Sequence, residues 1–227
     1  MSDREAFERD GALRFERQLS DAEVESLRAL ADDRIGSHPG ARLTSEPQLT
    51  TLLAPDGSVG AVAASLTSSA ARPVRAVMFD KSPKANWVVG WHQDRTITVR
   101  KRVDVDGFGP WSTKDGGLHV APPFDVLARM VTLRVHLDPV DEANAPLRIA
   151  IGSHLMGRIA ASDVEAVASA APQRACIAEL GDIWVYRTPI LHASDRALTP
   201  DRRRVLQIDY ADFDLPGDLD WTGLTDE

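Results

Sequence analysis

The stretch Trp87-Val88-Val89-Gly90-Trp91-His92-Gln93-Asp94 decides how the chain is read. Trp87, Val88 and Val89 are the aromatic and β-branched types that suit a pleated, half-buried strand, and Gly90 marks a bulge or a close backbone approach. Residues two apart on a strand share a face, so His92 and Asp94 project together while Gln93 points away. An imidazole beside a carboxylate is two-thirds of a 2-His-1-carboxylate facial triad, which holds Fe(II) on one face and leaves the remaining positions open. The pair alone is weak evidence, because any surface His-x-Asp can simply share a hydrogen bond. A further histidine has to be returned to it by sheet pairing.

His192 is the best candidate, one hundred residues on, at the end of Gly181-Asp182-Ile183-Trp184-Val185-Tyr186-Arg187-Thr188-Pro189-Ile190-Leu191-His192. Arg203 follows eleven residues later, at the head of the strand Arg204-Val205-Leu206-Gln207-Ile208-Asp209-Tyr210. A guanidinium there can clamp a carboxylate through two parallel hydrogen bonds, as a metal-bound 2-oxo acid requires. Register decides which arginine serves: Arg203 shares a face with Val205, and a one-residue slip hands the role to Arg204. His136 lacks a carboxylate at matching spacing, and His38 sits in the turn Gly36-Ser37-His38-Pro39-Gly40, where a structural role is expected.

Around this core the chain reads as one domain of 227 residues, 43% apolar and therefore able to bury a sizeable core. Residues 1–72 form a helical flank, 73–213 a strand-rich core, and 214–227 an acidic, turn-rich arm. Ser20 and Glu23 have capping-box spacing and open a helix carrying Val24, Leu27 and Ala31. A second helix covers 59–69. Strands are expected over 74–79, 96–100, 147–151, 175–180 and 183–186, with a short helix over 162–170. Residues 130–138 alternate, with Val131, Leu133, Val135 and Leu137 on one face and Thr132, Arg134 and His136 on the other, turned to solvent or to a polar pocket. The glycines and prolines of 103–125 predict a long lid loop, in which Trp111, Lys114 and His119 form a substrate mouth or Trp111 only anchors the loop. Many short strands with flanking helices predict a mainly β fold with a sandwich or jelly-roll core.

The net charge of −8 disfavours binding to nucleic acid or to an anionic membrane surface. No apolar run reaches the length of a membrane span, and the charged N-terminus has no apolar stretch behind it, so a cytoplasmic location is expected. Cys176 is the only cysteine, which leaves no internal disulfide and no cysteine-based metal site.

The pieces together resemble the phytanoyl-CoA dioxygenase family of Fe(II)/2-oxoglutarate oxygenases. The resemblance runs through Asp10-Gly11-Ala12-Leu13-Arg14-Phe15, Met78-Phe79-Asp80-Lys81-Ser82-Pro83, Trp91-His92-Gln93-Asp94, Leu137-Asp138, Asn144, Gly152-Ser153-His154, Gly181-Asp182, His192-Ala193-Ser194 and Arg203-Arg204, in the family's order. It implies a double-stranded β-helix (cupin-like jelly roll), with Fe(2+) on His92, Asp94 and His192 and with 2-oxoglutarate and O2 as co-substrates. It further implies that Arg203 grips the far carboxylate of 2-oxoglutarate and that Ser194 adds a hydrogen bond. Arg134 faces either co-substrate or substrate, and His154 matches a histidine that does not bind metal. The implied reaction hydroxylates a small molecule and releases succinate and CO2. Asp94 stands where related halogenases carry a small residue, which favours hydroxylation. Two departures, Ala145 for glycine in Asn144-Ala145-Pro146-Leu147 and Ile151 for proline before Gly152, bear on a turn near the site entrance. Two rival readings are a non-catalytic metal- or ligand-binding regulatory protein that keeps the fold, and a cupin-like enzyme using another metal without a 2-oxo acid. Arg203 speaks against the latter.

Overall fold

The computed structural model describes residues 2–36, 38–114, 116–199 and 201–224. In chain order, α1 (Asp3–Asp10) leads into β1 (Ala12–Phe15), α2 (Asp21–Ile35), β2 (Gly40–Leu43), α3 (Thr50–Leu53) and α4 (Gly60–Leu66). Then come β3 (Arg72–Lys81), β4 (Val89–His92), β5 (Ile97–Thr98), β6 (Trp111–Lys114), β7 (Gly117–Val120), α5 (Phe124–Arg129) and β8 (Val131–His136). The chain closes with β9 (Leu147–Ala150), α6 (Val164–Ala170), β10 (Gln173–Ala175), β11 (Ile183–Arg187), β12 (His192–Ser194) and β13 (Arg203–Ala211).

These strands build a jelly roll: a six-stranded sheet in the order β1-β11-β8-β13-β3-β2 packs against a four-stranded sheet in the order β10-β9-β12-β4. All their pairings are antiparallel. The six-stranded sheet has two buried faces with opposite chemistry. On its outer face Val131, Leu133, Val135, Ile183, Val185, Leu206, Ile208 and Tyr210 join one core cluster with Val24, Leu27, Leu30, Val62 and Leu66 of α2 and α4. Removing this apolar area from water is the main gain that holds the helical flank to the sheet. On the inner face the alternation delivers Thr132, Arg134, His136, Val205, Gln207 and Asp209, all buried.

The N-terminal helices start where local chemistry dictates. Ser20 and Glu23 form the predicted reciprocal capping box of α2, and Ser2 with Glu5 forms a second one that opens α1, a helix the sequence reading did not anticipate. Gly11 ends α1 in the left-handed region, where a Cβ would lie 2.2 Å from the His154 ring. His154 Nε2 in turn meets the Glu8 carbonyl at 3.0 Å, so this histidine secures the helix end.

Three expectations change. Residues 103–125 are not a lid loop: β6 and β7 form a hairpin that pairs with β5 as a third sheet. The stretch after Asp214 is no free arm, since Leu215, Leu219 and Trp221 are buried in a cluster with Ile97, Val99 and Val120, and Trp221 bridges to Val99. The strand expected over 175–180 is instead β10, which ends at Ala175, followed by a single bridge from Ala178 to Val140. No helix among the described residues is long and apolar enough to cross a membrane.

Candidate active site

His92 and His192 stand directly opposite each other across the β4–β12 pair, and their ring centroids are 4.2 Å apart. Between Val89 and His92 the β4 register slips by one residue against β12, a bulge at Gly90 and Trp91. Asp94, two residues beyond His92, completes the cluster: one ligand atom from each of His92, Asp94 and His192 lies within 4.8 Å of the others. Gln93 faces away and locks the turn. Its Nε2 donates to the carbonyls of Gly157 and Pro189, and its Oε1 accepts from the Ile159 amide.

The imidazoles are oriented for ligation. Nδ1 of His92 is 2.9 Å from the Gly90 carbonyl and Nδ1 of His192 is 3.0 Å from that of Ile190. A carbonyl only accepts, so each Nδ1 carries the proton and each Nε2 presents a lone pair, as in metal-bound histidines whose other ring N–H is held by a carbonyl. Burial holds His192 below the ordinary imidazole range, with the neighbouring Asp94 pulling the other way; it is neutral and able to ligate at physiological pH. These donors fit a divalent metal held by mixed nitrogen and oxygen ligands.

The three groups open into a cavity of about 150 Å³ whose other walls include Trp87, Val89, Arg134, Leu147, Ser194, Arg203 and Gln207. The sheet register puts the two neighbouring arginines on opposite faces. Arg203 lies on the inner face and donates to the Ala145 carbonyl. Arg204 points outward and makes two bonds to Asp138, Nε–Oδ2 at 2.9 Å and Nη2–Oδ1 at 2.8 Å. Ser194 Oγ also donates to the Ala145 carbonyl, at 3.2 Å. Ala145 stands in the left-handed region (φ 52°, ψ 62°), which costs an alanine about 1–2 kcal/mol.

Cations gather at and beside this cavity: Arg134 and Arg203 line it, and Lys81 is the cross-strand neighbour of Arg203. Burial, then the charge of Arg134, pushes Arg203 down to about 9, which still leaves it protonated at neutral pH. Lys81, opposite Arg203 in the β3–β13 pair, is 1% exposed; its ammonium donates to the Asp195 carbonyl at 2.7 Å and contacts Ser194 Oγ at 3.4 Å. Burial, followed by the Arg203 charge, lowers Lys81 to about 8. Arg134 Nη1 donates to Gln207 Oε1 at 2.7 Å. Two buried donors lining the cavity, Arg134 Nε and Arg203 Nε, have no hydrogen-bond partner. Such orphans cost about 1–3 kcal/mol each unless something pairs with them, which fits an anion with several acceptor oxygens. Lys81 was missed from sequence; its alternation with Val77 and Phe79 on an inner face was the available signal.

The mouth residues expected in 103–125 are placed differently. Trp111 packs beside Val103, Val105 and Phe108 on the apolar cluster under the third sheet, with Arg102 over its ring at 5.4 Å. Lys114 is exposed at the end of β6, and neither residue lines the cavity beside the triad. The hairpin pairing that replaces the lid explains both positions. His119 is buried in β7 and meets Arg42 Nη2 at 2.7 Å through its Nε2.

A family model described as phytanoyl-CoA dioxygenase matches residues 7–205. Among solved structures, the chain is similar to SnoN, a non-heme alpha ketoglutarate dependent epimerase from nogalamycin biosynthesis, with 17% identity and a TM-score of 0.66 over 95% of this chain and 89% of that one. HygX from Streptomyces hygroscopicus, solved with nickel and 2-oxoglutarate bound, shares 18% identity at a TM-score of 0.63, covering 93% of this chain and 87% of its own. EctD from S. alaskensis, solved with 2-oxoglutarate and 5-hydroxyectoine, shares 18% identity at a TM-score of 0.64, over 93% of this chain and 76% of that one. At such identities the likeness establishes a common fold. No curated protein matches the sequence.

Proposed function

The chain belongs to the phytanoyl-CoA dioxygenase family, and from that premise we propose that it is an Fe(II)/2-oxoglutarate-dependent dioxygenase that hydroxylates a small molecule. The observation that carries this reading is the complete His92, Asp94 and His192 cluster in a cavity that Arg134 and Arg203 also line, with Lys81 paired opposite Arg203. Iron(II), when bound there, supplies the activation of O2 coupled to conversion of 2-oxoglutarate into succinate and CO2. His92, Asp94 and His192 hold the metal, and the Nδ1 bonds to Gly90 and Ile190 keep both rings aimed. Arg203, assisted by Lys81 and Ser194, grips the far carboxylate of the co-substrate. Arg134, braced by Gln207, lies along its length. Tyr186, with its ring centroid 5.5 Å from that of His192, and Leu147 keep water from the reacting end. Retention of a carboxylate at Asp94 supports hydroxylation over halogenation.

Anaerobic titration of the iron-loaded protein with 2-oxoglutarate tests the assignment. A visible metal-to-ligand charge-transfer band is expected, followed on admitting air by release of succinate. Iron-loaded protein that shows no such band is not an oxygenase of this type, and a regulatory binding role then takes its place.

Lys81 makes the co-substrate grip sensitive to pH. In the ligand-free protein its ammonium is lost as pH rises through about 8, and a bound carboxylate favours the charged form. Binding therefore takes up a proton above that pH. The 2-oxoglutarate Kd is expected to be level below about pH 7.5 and to rise by up to roughly tenfold per pH unit above about 8. Lys81→Met should bind more weakly and lose this onset; an unchanged profile in that variant would remove Lys81 from the grip.

A further inference from the structure

A second cavity, of about 640 Å³, lies against the first and shares Arg75, Phe79 and Trp87 with it. Its size suits a drug-sized ligand, and the shared wall puts one end of such a ligand beside the metal cluster. Its remaining walls come from β2 and the turn before it, with Val77 of β3. Among the described residues lining it there are two arginines and a histidine and no carboxylate, in a chain whose net charge is −8.

The arginines are set to converge. Arg42 stands opposite Val77 in the β2–β3 pair, and Arg75 is two residues from Val77 on the same face. Diagonal neighbours of this kind lie about 7–8 Å apart, within reach of two long side chains closing on one group. Each is braced from behind. Arg42 Nη2 donates to His119 Nε2, so that nitrogen accepts and the ring proton sits on Nδ1, 3.4 Å from Thr96 Oγ1. His119 thus fixes Arg42 as a neutral ring. Arg75 Nη1 donates to Asp209 at 3.2 Å, Asp209 accepts from Thr132 at 2.9 Å, and Arg75 Nε is buried with no hydrogen-bond partner. Asp209 and Asp94 both act on Arg75, which suits a singly charged guest better than a dianion.

We infer that the substrate of the proposed oxygenase is a carboxylic acid with a flat apolar body, its carboxylate held between Arg42 and Arg75 and its body lying along Phe79 and Trp87 toward the metal cluster. The placement of the reacting end rests on the oxygenase reading; the acid site itself does not. Isothermal titration calorimetry of the anaerobic iron- and 2-oxoglutarate-loaded protein tests it, with 3-phenylpropionate and indole-3-propionate each paired with its primary amide. Each acid should bind at least about tenfold tighter than its amide. Arg42→Gln should erase that preference while leaving the charge-transfer band in place. Should Arg42→Gln fail to fold, Arg42→Lys, which keeps the charge but not the fork, should retain only part of the preference. Acids that bind no better than amides, or a preference untouched in Arg42→Gln, would overturn the inference while an intact band leaves the oxygenase reading standing. An absent band would sink that reading instead, and the acid–amide comparison would still decide the acid site.

Discussion

His192→Ala should abolish the charge-transfer band and reduce succinate release to background. Removing an outer-shell partner of a metal ligand typically costs 10–100-fold in affinity or activity. Losing one of only three protein ligands lies beyond that range, because the two that remain cannot define a facial set. The expected loss is therefore more than about a hundredfold in iron affinity, read directly by metal analysis after gel filtration. His192 occupies the middle of its sheet, paired with Ile149 of β9 on one side and His92 of β4 on the other. Its backbone is held independently of the ring, so circular dichroism and melting behaviour in the metal-free state should match those of the wild type. Wild-type iron content in this variant would remove His192 from the ligand set.

The second large effect separates two adjacent arginines. Arg203→Ala should raise the 2-oxoglutarate Kd by about a hundredfold, since truncating one partner of a buried, hydrogen-bonded charge pair costs 2–5 kcal/mol and each 1.4 kcal/mol is tenfold. Its effect on iron affinity should be small. Arg204→Ala should behave in the opposite way. That guanidinium serves Asp138, whose carboxylate also accepts from Arg28 at 2.9 Å and from the Arg204 amide at 2.8 Å. Breaking such a pair costs about 3–5 kcal/mol of stability, seen as a shift of the denaturation midpoint, with 2-oxoglutarate affinity in the surviving folded fraction unchanged. A swap of these two phenotypes would mean that β13 runs one residue out of the register described.

The triad and the jelly roll were legible because both rest on the two-residue period of strands. That period places His92 with Asp94, separates Arg203 from Arg204, and divides Val131, Leu133 and Val135 from Thr132, Arg134 and His136. What escaped lacks that period. The β6–β7 hairpin is built from Trp, Ser, Thr, Lys, Gly, Leu, His and Val between glycines and prolines, so its turn residues outweigh its strand residues. Leu215, Leu219 and Trp221 are spaced among aspartates and glycines without a repeat, and only tertiary packing shows them buried. Lys81 was hidden for a different reason: an ammonium on a strand reads as solvated until its neighbours across β13 are known. Helix α1 did carry a local sign, the Ser2 and Glu5 box, in a stretch otherwise too polar to announce a helix.

The residues proposed to hold the metal and those proposed to grip the anion belong to opposite halves of the sandwich. His92 and His192 come from the four-stranded sheet, whereas Arg203, Lys81 and Arg134 come from the six-stranded one. A co-substrate seated as proposed is a strut across the gap, and the two sheets act as a gauge of its length. Each is tied by antiparallel pairing and backed by a packed core. On the proposed seating, a 2-oxo diacid one methylene too short would leave a carboxylate free of Arg203 and one too long would have to buckle, so the sheet spacing would select the acid.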